Sequence, residues 1–200
     1  MLCLFMLRDV LNAVKISKYV ERVIVISCDQ RVLEFAKKSR VLDFNEGTQK
    51  GLNSAIKQVT SVCKDKGAES ILILPVDIPL VKTEDIDNII RESYKPKSIV
   101  ITPSLDEKGT NALLIKPPTA IKPSFGLNSF QVHIDEAKSK NIPYTICRLP
   151  RIALDLDTPK DIATFLKIGD GTETYNYMVK IGLINRVRKF KDPSKPILRE

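Results

Sequence analysis

Two hundred residues, 43% of them hydrophobic, with no Trp and a single His, have the composition of an ordinary globular chain long enough to bury one α/β core. The formal charge of +8 sits mostly at one end: residues 180–200 hold seven Lys/Arg against two Asp/Glu, which leaves +3 for the first 179. No run approaches the ~20 apolar residues that span a bilayer, and Cys3, Cys28, Cys63 and Cys147 form no CxxC, so a membrane protein, a disulfide framework and a zinc site are not expected.

The opening MLCLFMLRDVL is interrupted by Arg8 and Asp9 and lacks a small-residue cleavage site, so it reads as a core helix rather than a signal peptide. Phe5, Leu7, Val10, Leu11 and Val14 carry its helical spacing. The apolar run 23–27 predicts a strand covered on both faces. A helix over 31–38 and a short strand over 41–43 follow. Leu52, Ala55, Ile56, Val59, Val62 and Cys63 predict one helical face within 48–64. The clearest strand, 71–76, ends in Asp77-Ile78-Pro79-Leu80, and Thr83 is expected to cap the next helix, with Glu84 and Asp85 in its first turn.

Strands are expected at 98–102, 112–115, 144–149 and 152–156, with a helix over 129–140 before the last pair. Thr158-Pro159 marks a final helix start, with one more helix expected after Lys167. Alternating strands and helices predict an α/β domain with a mostly parallel sheet over 1–168, followed by a basic extension over 169–200. That end reads as a solvated tail or as a patch for nucleic acid or an anionic surface. The four thiols read as buried and reduced, in a cytoplasmic protein.

Neither GxGxxG nor GxxxxGK[ST] occurs, and one histidine leaves no room for a Ser-His-Asp triad or an HExxH site. Carboxylates at strand ends remain. Asp77 follows a strand, where open α/β sheets bind ligands. Asp155 and Asp157 flank Leu156, so an extended backbone turns both carboxylates one way. Three such groups at one edge repel each other, and Mg²⁺ with its preference for oxygen ligands would relieve this. The plainer alternative makes Asp77 a turn residue and Asp157 a helix cap.

Gly109-Thr110-Asn111 offers close backbone approach, a hydroxyl and an amide, or simply a turn. Gly126 and Ser129 lie at a helix start, where an anion is welcome, though an ordinary cap reads equally well. Asn53 could read a base or be a surface residue.

The segments LPVDIPL, GTNALLIKPP, FGLNSFQVHIDEAK and LDLDTPKDI, together with GLNSAI, resemble those of the 2-phospho-L-lactate guanylyltransferases of coenzyme F-420 biosynthesis, in family order. The resemblance implies a Rossmann-like nucleotidyltransferase fold. The implied reaction is attack of a substrate phosphate, on 2-phospho-L-lactate or a relative such as phosphoenolpyruvate, on the α-phosphorus of GTP with release of pyrophosphate. It implies Mg²⁺ at Asp77, Asp155 and Asp157, the acceptor phosphate at Thr110, Gly126 and Ser129, and the guanine nucleotide near Asn53.

Family members begin with a strand and a Lys-bearing SRL-like loop, and this chain starts at the following helix, so a shortened N-terminus and impaired nucleotide binding are expected. The alternatives are a molybdenum-cofactor or sugar-phosphate nucleotidyltransferase of the same fold, or a truncated non-catalytic binding protein. Membrane and nucleic-acid partners are not expected, and a homodimer stays open.

Overall fold

The computed structural model describes residues 1–47 and 51–184. Apolar side chains at helical spacing form α1 (Leu2–Ile16), which buries Leu7, Val10, Leu11, Ala13 and Val14. β1 (Ile24–Ser27) leads into α2 (Gln30–Lys38), capped by the Asp29 carboxylate on the amide of Arg31 at 2.8 Å, and then into β2 (Leu42–Asn45). α3 (Leu52–Asp65), β3 (Ile71–Ile73), α4 (Thr83–Glu92), β4 (Ser98–Pro103) and β5 (Thr110–Lys116) follow. The described chain ends with α5 (Ser129–Ser139), β6 (Tyr144–Ile146), the single turn α6 (Pro150–Ala153), α7 (Pro159–Ile168) and α8 (Glu173–Lys180).

β1 and β2 pair in parallel as one small sheet, and the second sheet has the order β3-β5-β4-β6. β3 and β4 both run antiparallel to β5, while β6 is parallel to β4, so β5 alone is reversed. The α/β class and the helical cover agree with the sequence reading. The reversal of β5 follows from its short connection to β4, since a parallel neighbour needs a crossover of a dozen or more residues.

β4 and β5 alternate between two cores. Ile99, Ile101, Leu113 and Ile115 meet Phe130, Ile134 and Ala137 of α5. Val100, Ala112 and Leu114 meet Val10 and Val14 of α1 and Ile86 and Ile89 of α4. Each fully buried Ile or Leu contributes about 1.5–3 kcal/mol of transfer free energy. One residue breaks the alternation: Thr102 pairs with Ala112 but Pro103 pairs with Thr110, so Asn111 is an extra residue in β5, a β-bulge.

Beyond the expected boundary at 168, α8 packs along α1. Phe5 stacks on Tyr177 with ring centroids 4.3 Å apart, and Asp9 accepts from the amides of Glu173 and Thr174 at 2.8 and 2.9 Å. Among the described residues no helix is long and apolar enough to cross a membrane. The expected helix start at Thr48 and the basic residues after 184 lie outside the described residues.

Four local expectations are corrected. The strand over 152–156 is absent, because Pro150 cannot donate to a ladder and suits a helix start, and α6 forms instead. β3 stops at Ile73, and Pro75 keeps the following residues out of the ladder. Thr83 is the first residue of α4 rather than its cap, and its hydroxyl donates to the carbonyl of Ala13 at 2.9 Å. The four thiols form no disulfide among the described residues, and Cys3 and Cys28 are exposed rather than buried.

Candidate active site

The two segments with acidic residues, one after β3 and one after α6, meet through the backbone. The amide of Leu156 donates to the carbonyl of Asp77 at 2.9 Å, which lays the irregular segment after α6 beside the exit of β3. Leu156 itself turns to an apolar cluster around Leu154, Phe165 and Met178. Asp77 Oδ1 is buried without a hydrogen-bond partner among the described residues. That burial, then Asp157, then Asp155, pushes the Asp77 pKa up to about 6. Burial also raises Asp155, against a backbone hydrogen bond and the side chain of Asn111, which favour its ionised form. Asp157 is exposed.

Among the described residues no three His, Cys, Asp or Glu side chains are arranged to hold an ion by themselves. The rim does fit a hard cation on two counts: an orphaned, buried carboxylate oxygen, and an all-oxygen donor set that leaves positions for water and phosphate.

The second feature is a cradle built on the bulge. By strict alternation Thr110 would share the face of Ala112 and Leu114. The extra residue Asn111 re-aims both side chains instead. Thr110 turns to α5, where its Oγ1 lies 3.0 Å from His133 Nδ1. Asn111 turns to α6 and donates to the carbonyls of Ile152 and Ala153 at 3.0 and 3.2 Å. Adjacent residues thus serve the two features, Thr110 the cradle and Asn111 the acidic rim.

The loop before α5 is held at several points. The amide of Ser124 donates to His133 Nε2 at 2.9 Å. Asn53 at the start of α3 accepts from the amide of Phe125 at 2.7 Å and donates to its carbonyl at 2.8 Å. Gly126 has φ +131°, a conformation side chains rarely adopt, and nothing lies within 4 Å of where its Cβ would stand. Asn128 follows in the left-handed region, and α5 begins at Ser129, which is 2% exposed.

Two amides at the start of α5 are already engaged: Ser129 N donates to Gly126 O and Phe130 N to Lys108 O, both at 3.1 Å. An anion here would therefore rely on hydroxyls more than on the bare helix start. Among the described residues the Ser129 hydroxyl makes no hydrogen bond.

A cleft of about 350 Å³ opens beside the carboxyl ends of β1 and β2, lined by Ile26, Glu46, Gly51, Leu52 and Ala55. It adjoins Asn53, whose amide links the start of α3 to the cradle.

Sequence reasoning singled out Asp77, Asp155 and Asp157, and the backbone brings them together; Thr110, Gly126 and Ser129 gather around the start of α5. Asn53 has both amide atoms engaged by Phe125. His133 and Glu46 were not among the expected residues, while Asn111 was named for its amide in the Gly109-Thr110-Asn111 segment. A signal for His133 exists: it lies on the buried stripe Phe130, His133, Ile134 and Ala137, where a polar side chain needs partners. Glu46 carried no comparable pattern.

Residues 1–196 match the model of a family described as "Guanylyl transferase CofC like". The chain is 36% identical over 182 residues to a 2-phospho-L-lactate guanylyltransferase of Methanocaldococcus sp. (strain FS406-22), covering 91% of this chain and 76% of that one. It is 37% identical over 163 residues to a phosphoenolpyruvate guanylyltransferase of Rubrobacter xylanophilus, covering 81% and 78%. A crystal structure of 4-diphosphocytidyl-2C-methyl-D-erythritol synthase superposes with a TM-score of 0.61 at 13% identity, covering 80% of this chain and 87% of that one. A cytidylyltransferase from Leptospira borgpetersenii gives 0.59 at 17%, covering 97% and 88%. At such identities the likeness speaks for the nucleotidyltransferase fold alone.

Proposed function

The chain belongs to the CofC-like guanylyl transferase family, and from that premise we propose that it transfers the GMP moiety of GTP to a small phosphorylated acid with release of pyrophosphate. 2-Phospho-L-lactate and phosphoenolpyruvate, the acids in the names of its relatives, are the two acceptors proposed, in coenzyme F-420 biosynthesis. The observation that carries this reading is the pairing of two unlike features: a rim with an orphaned buried carboxylate oxygen, and a cradle in which His133 holds the Thr110 hydroxyl beside the start of α5.

In the reaction an oxygen of the acceptor phosphate forms a bond to the α-phosphorus, and the bond from that phosphorus to the bridging oxygen of pyrophosphate breaks. The acceptor is already ionised, so no protein base is needed, and positioning and electrostatics carry the chemistry. Asp77, Asp155 and Asp157 are the proposed ligands of Mg²⁺, which when bound would neutralise charge on the phosphates and align donor with acceptor.

Thr110 and Ser129 donate hydroxyl protons to the acceptor phosphate, and Gly126 lets it approach the backbone. A hydrogen bond to a charged group is worth about 1.5–3 kcal/mol. The cleft at Ile26, Leu52 and Ala55 takes the guanine ring, and the Glu46 carboxylate accepts from its N1–H and exocyclic amine. Asn53 serves the nucleotide side indirectly, by fixing the wall between cleft and cradle.

The test is direct. Purified chain with GTP, Mg²⁺ and either acid should yield pyrophosphate and a guanylylated acid in equal amounts by ³¹P NMR. Turnover with a sugar phosphate but with neither acid overturns the acceptor; turnover with none overturns the reaction.

A further inference from the structure

We propose that His133, which never touches the reacting atoms, is a positioning residue that turns the Thr110 hydroxyl into a dedicated hydrogen-bond donor for a phosphate monoester dianion. The proposal rests on the reading of the cradle as the acceptor site.

The chain has one histidine, and it is fully buried on the inner face of α5. Its two ring nitrogens face partners of different kind. Ser124 N, 2.9 Å from Nε2, is a backbone amide and can only donate. Nε2 must therefore be the bare, accepting nitrogen. A neutral imidazole has one N–H, which then sits on Nδ1, 3.0 Å from Thr110 Oγ1. Burial keeps the ring neutral by lowering its pKa to about 4, with Glu136 acting weakly in the opposite sense.

The consequence falls on Thr110. A hydroxyl has one proton and two lone pairs. With a lone pair occupied by Nδ1–H, its proton is left for another acceptor, and none among the described residues takes it. A phosphate monoester dianion presents only acceptor oxygens and matches that unclaimed proton. With the other tautomer the Thr110 proton would point into the ring, and an anion would meet lone pairs.

The backbone amide of Ser124 thus sets the polarity of a hydroxyl on β5. The bulge at Asn111 is what brings Thr110 to the ring, and Phe125, packed edge-on at 5.2 Å, holds the ring plane.

The test uses the full chain. With ¹⁵N-labelled histidine the single imidazole gives one pattern in long-range ¹H–¹⁵N spectra. The Nδ1–H tautomer is expected, unchanged between about pH 5.5 and 8; an Nε2–H form or averaged tautomers overturn the proposal. Thr110→Val and His133→Gln should each raise the KM for the phosphorylated acid roughly 10- to 100-fold, with the KM for GTP within about twofold. The double variant should be no worse than the more affected single one. Fully additive effects, or equal rises for GTP, reduce His133 to packing and overturn the proposal.

Failure of the parent reading shows separately, as a wild-type chain that releases no pyrophosphate. Inorganic phosphate then decides: it should raise the Tm of the wild type but not of Thr110→Val or His133→Gln. Equal protection of all three overturns the proposal.

Discussion

The acidic rim and the cradle are served by adjacent residues, Asn111 and Thr110, but are built on opposite terms. In the cradle, His133, Ser124, Asn53 and Phe125 satisfy one another, and the loop before α5 is shaped before anything binds. At the rim, Asp77 Oδ1 is buried with no partner, and neighbouring carboxylates add to the cost of its charge. On the proposed reading the cradle is shaped in advance for an anion, and the rim would take its compensating positive charge from Mg²⁺. Buried polar atoms are nearly always partnered, so an exception bordered by two more carboxylates points to a ligand, whereas a closed network points to rigidity.

Substitutions can break this contrast. The largest effect is expected at the rim: Asp77→Asn should lower kcat/KM by roughly 10³-fold or more, since it removes a charge that the proposed Mg²⁺ would need. The same change should stabilise the metal-free chain at neutral pH. The folded pKa of Asp77, about 6, exceeds its ordinary 3.8, so the native state binds its proton more tightly than the unfolded state. The resulting loss of stability is absent below 3.8, grows between 3.8 and 6 and is complete above. The Tm of Asp77→Asn, measured without divalent ions, should therefore exceed wild type at pH 7.5 and converge with it near pH 4. A variant less stable than wild type at pH 7.5 would refute the reading of Asp77 as strained.

Ser129→Ala comes next. Its hydroxyl is proposed to meet only the acceptor, so the KM for the phosphorylated acid should rise about 10-fold while that for GTP holds. Equal rises for both substrates would make Ser129 a structural residue of the helix start.

Asn53→Ala should be milder. It removes two neutral hydrogen bonds at an exposed site, worth about 0.5–1.5 kcal/mol each, and frees Phe125. Chemical denaturation should show a loss of about 1–3 kcal/mol. Steady-state kinetics should show the acceptor KM rising more than kcat falls. An unchanged acceptor KM would mean that the cradle holds its shape without the clamp.

The smallest effect separates the two regions by pH. His133 has a folded pKa of about 4 against an ordinary 6.5, so the unfolded state takes the proton first and stability falls as pH drops from 6.5 toward 4. His133→Gln should be less stable than wild type at pH 7.5, through its lost hydrogen bonds, and that deficit should narrow in acid. A deficit that widens in acid would contradict the burial of a neutral ring.

Much of this contrast was legible in the sequence, and unevenly so. The rim was readable from local signals, the apolar run before Asp77 and the Thr158-Pro159 helix start that bracket its carboxylates, although the expected strand ends were displaced. Pro150 hid the true path between them, since the same apolar residues suit a strand or one helical turn. The cradle was half readable. Gly126 and Ser129 carry a helix-start pattern, but the partners that shape the loop are distant in sequence. Asn53 lies 72 residues from Phe125, and Thr110 lies 23 from His133. The bulge at Asn111 was invisible, because a bulge is defined by its pairing strand and not by its own residues.

The most direct measurement of the central contrast is a two-way thermal-shift experiment on wild type, Asp77→Asn and Thr110→Val. Mn²⁺ with a non-hydrolysable GTP analogue probes the rim, and the phosphorylated acid alone probes the cradle. The account predicts a crossover: Asp77→Asn loses the stabilisation by Mn²⁺ and nucleotide but keeps that by the acid, and Thr110→Val does the reverse. If both variants lose both stabilisations together, the rim and the cradle are not separate devices, and the account is contradicted.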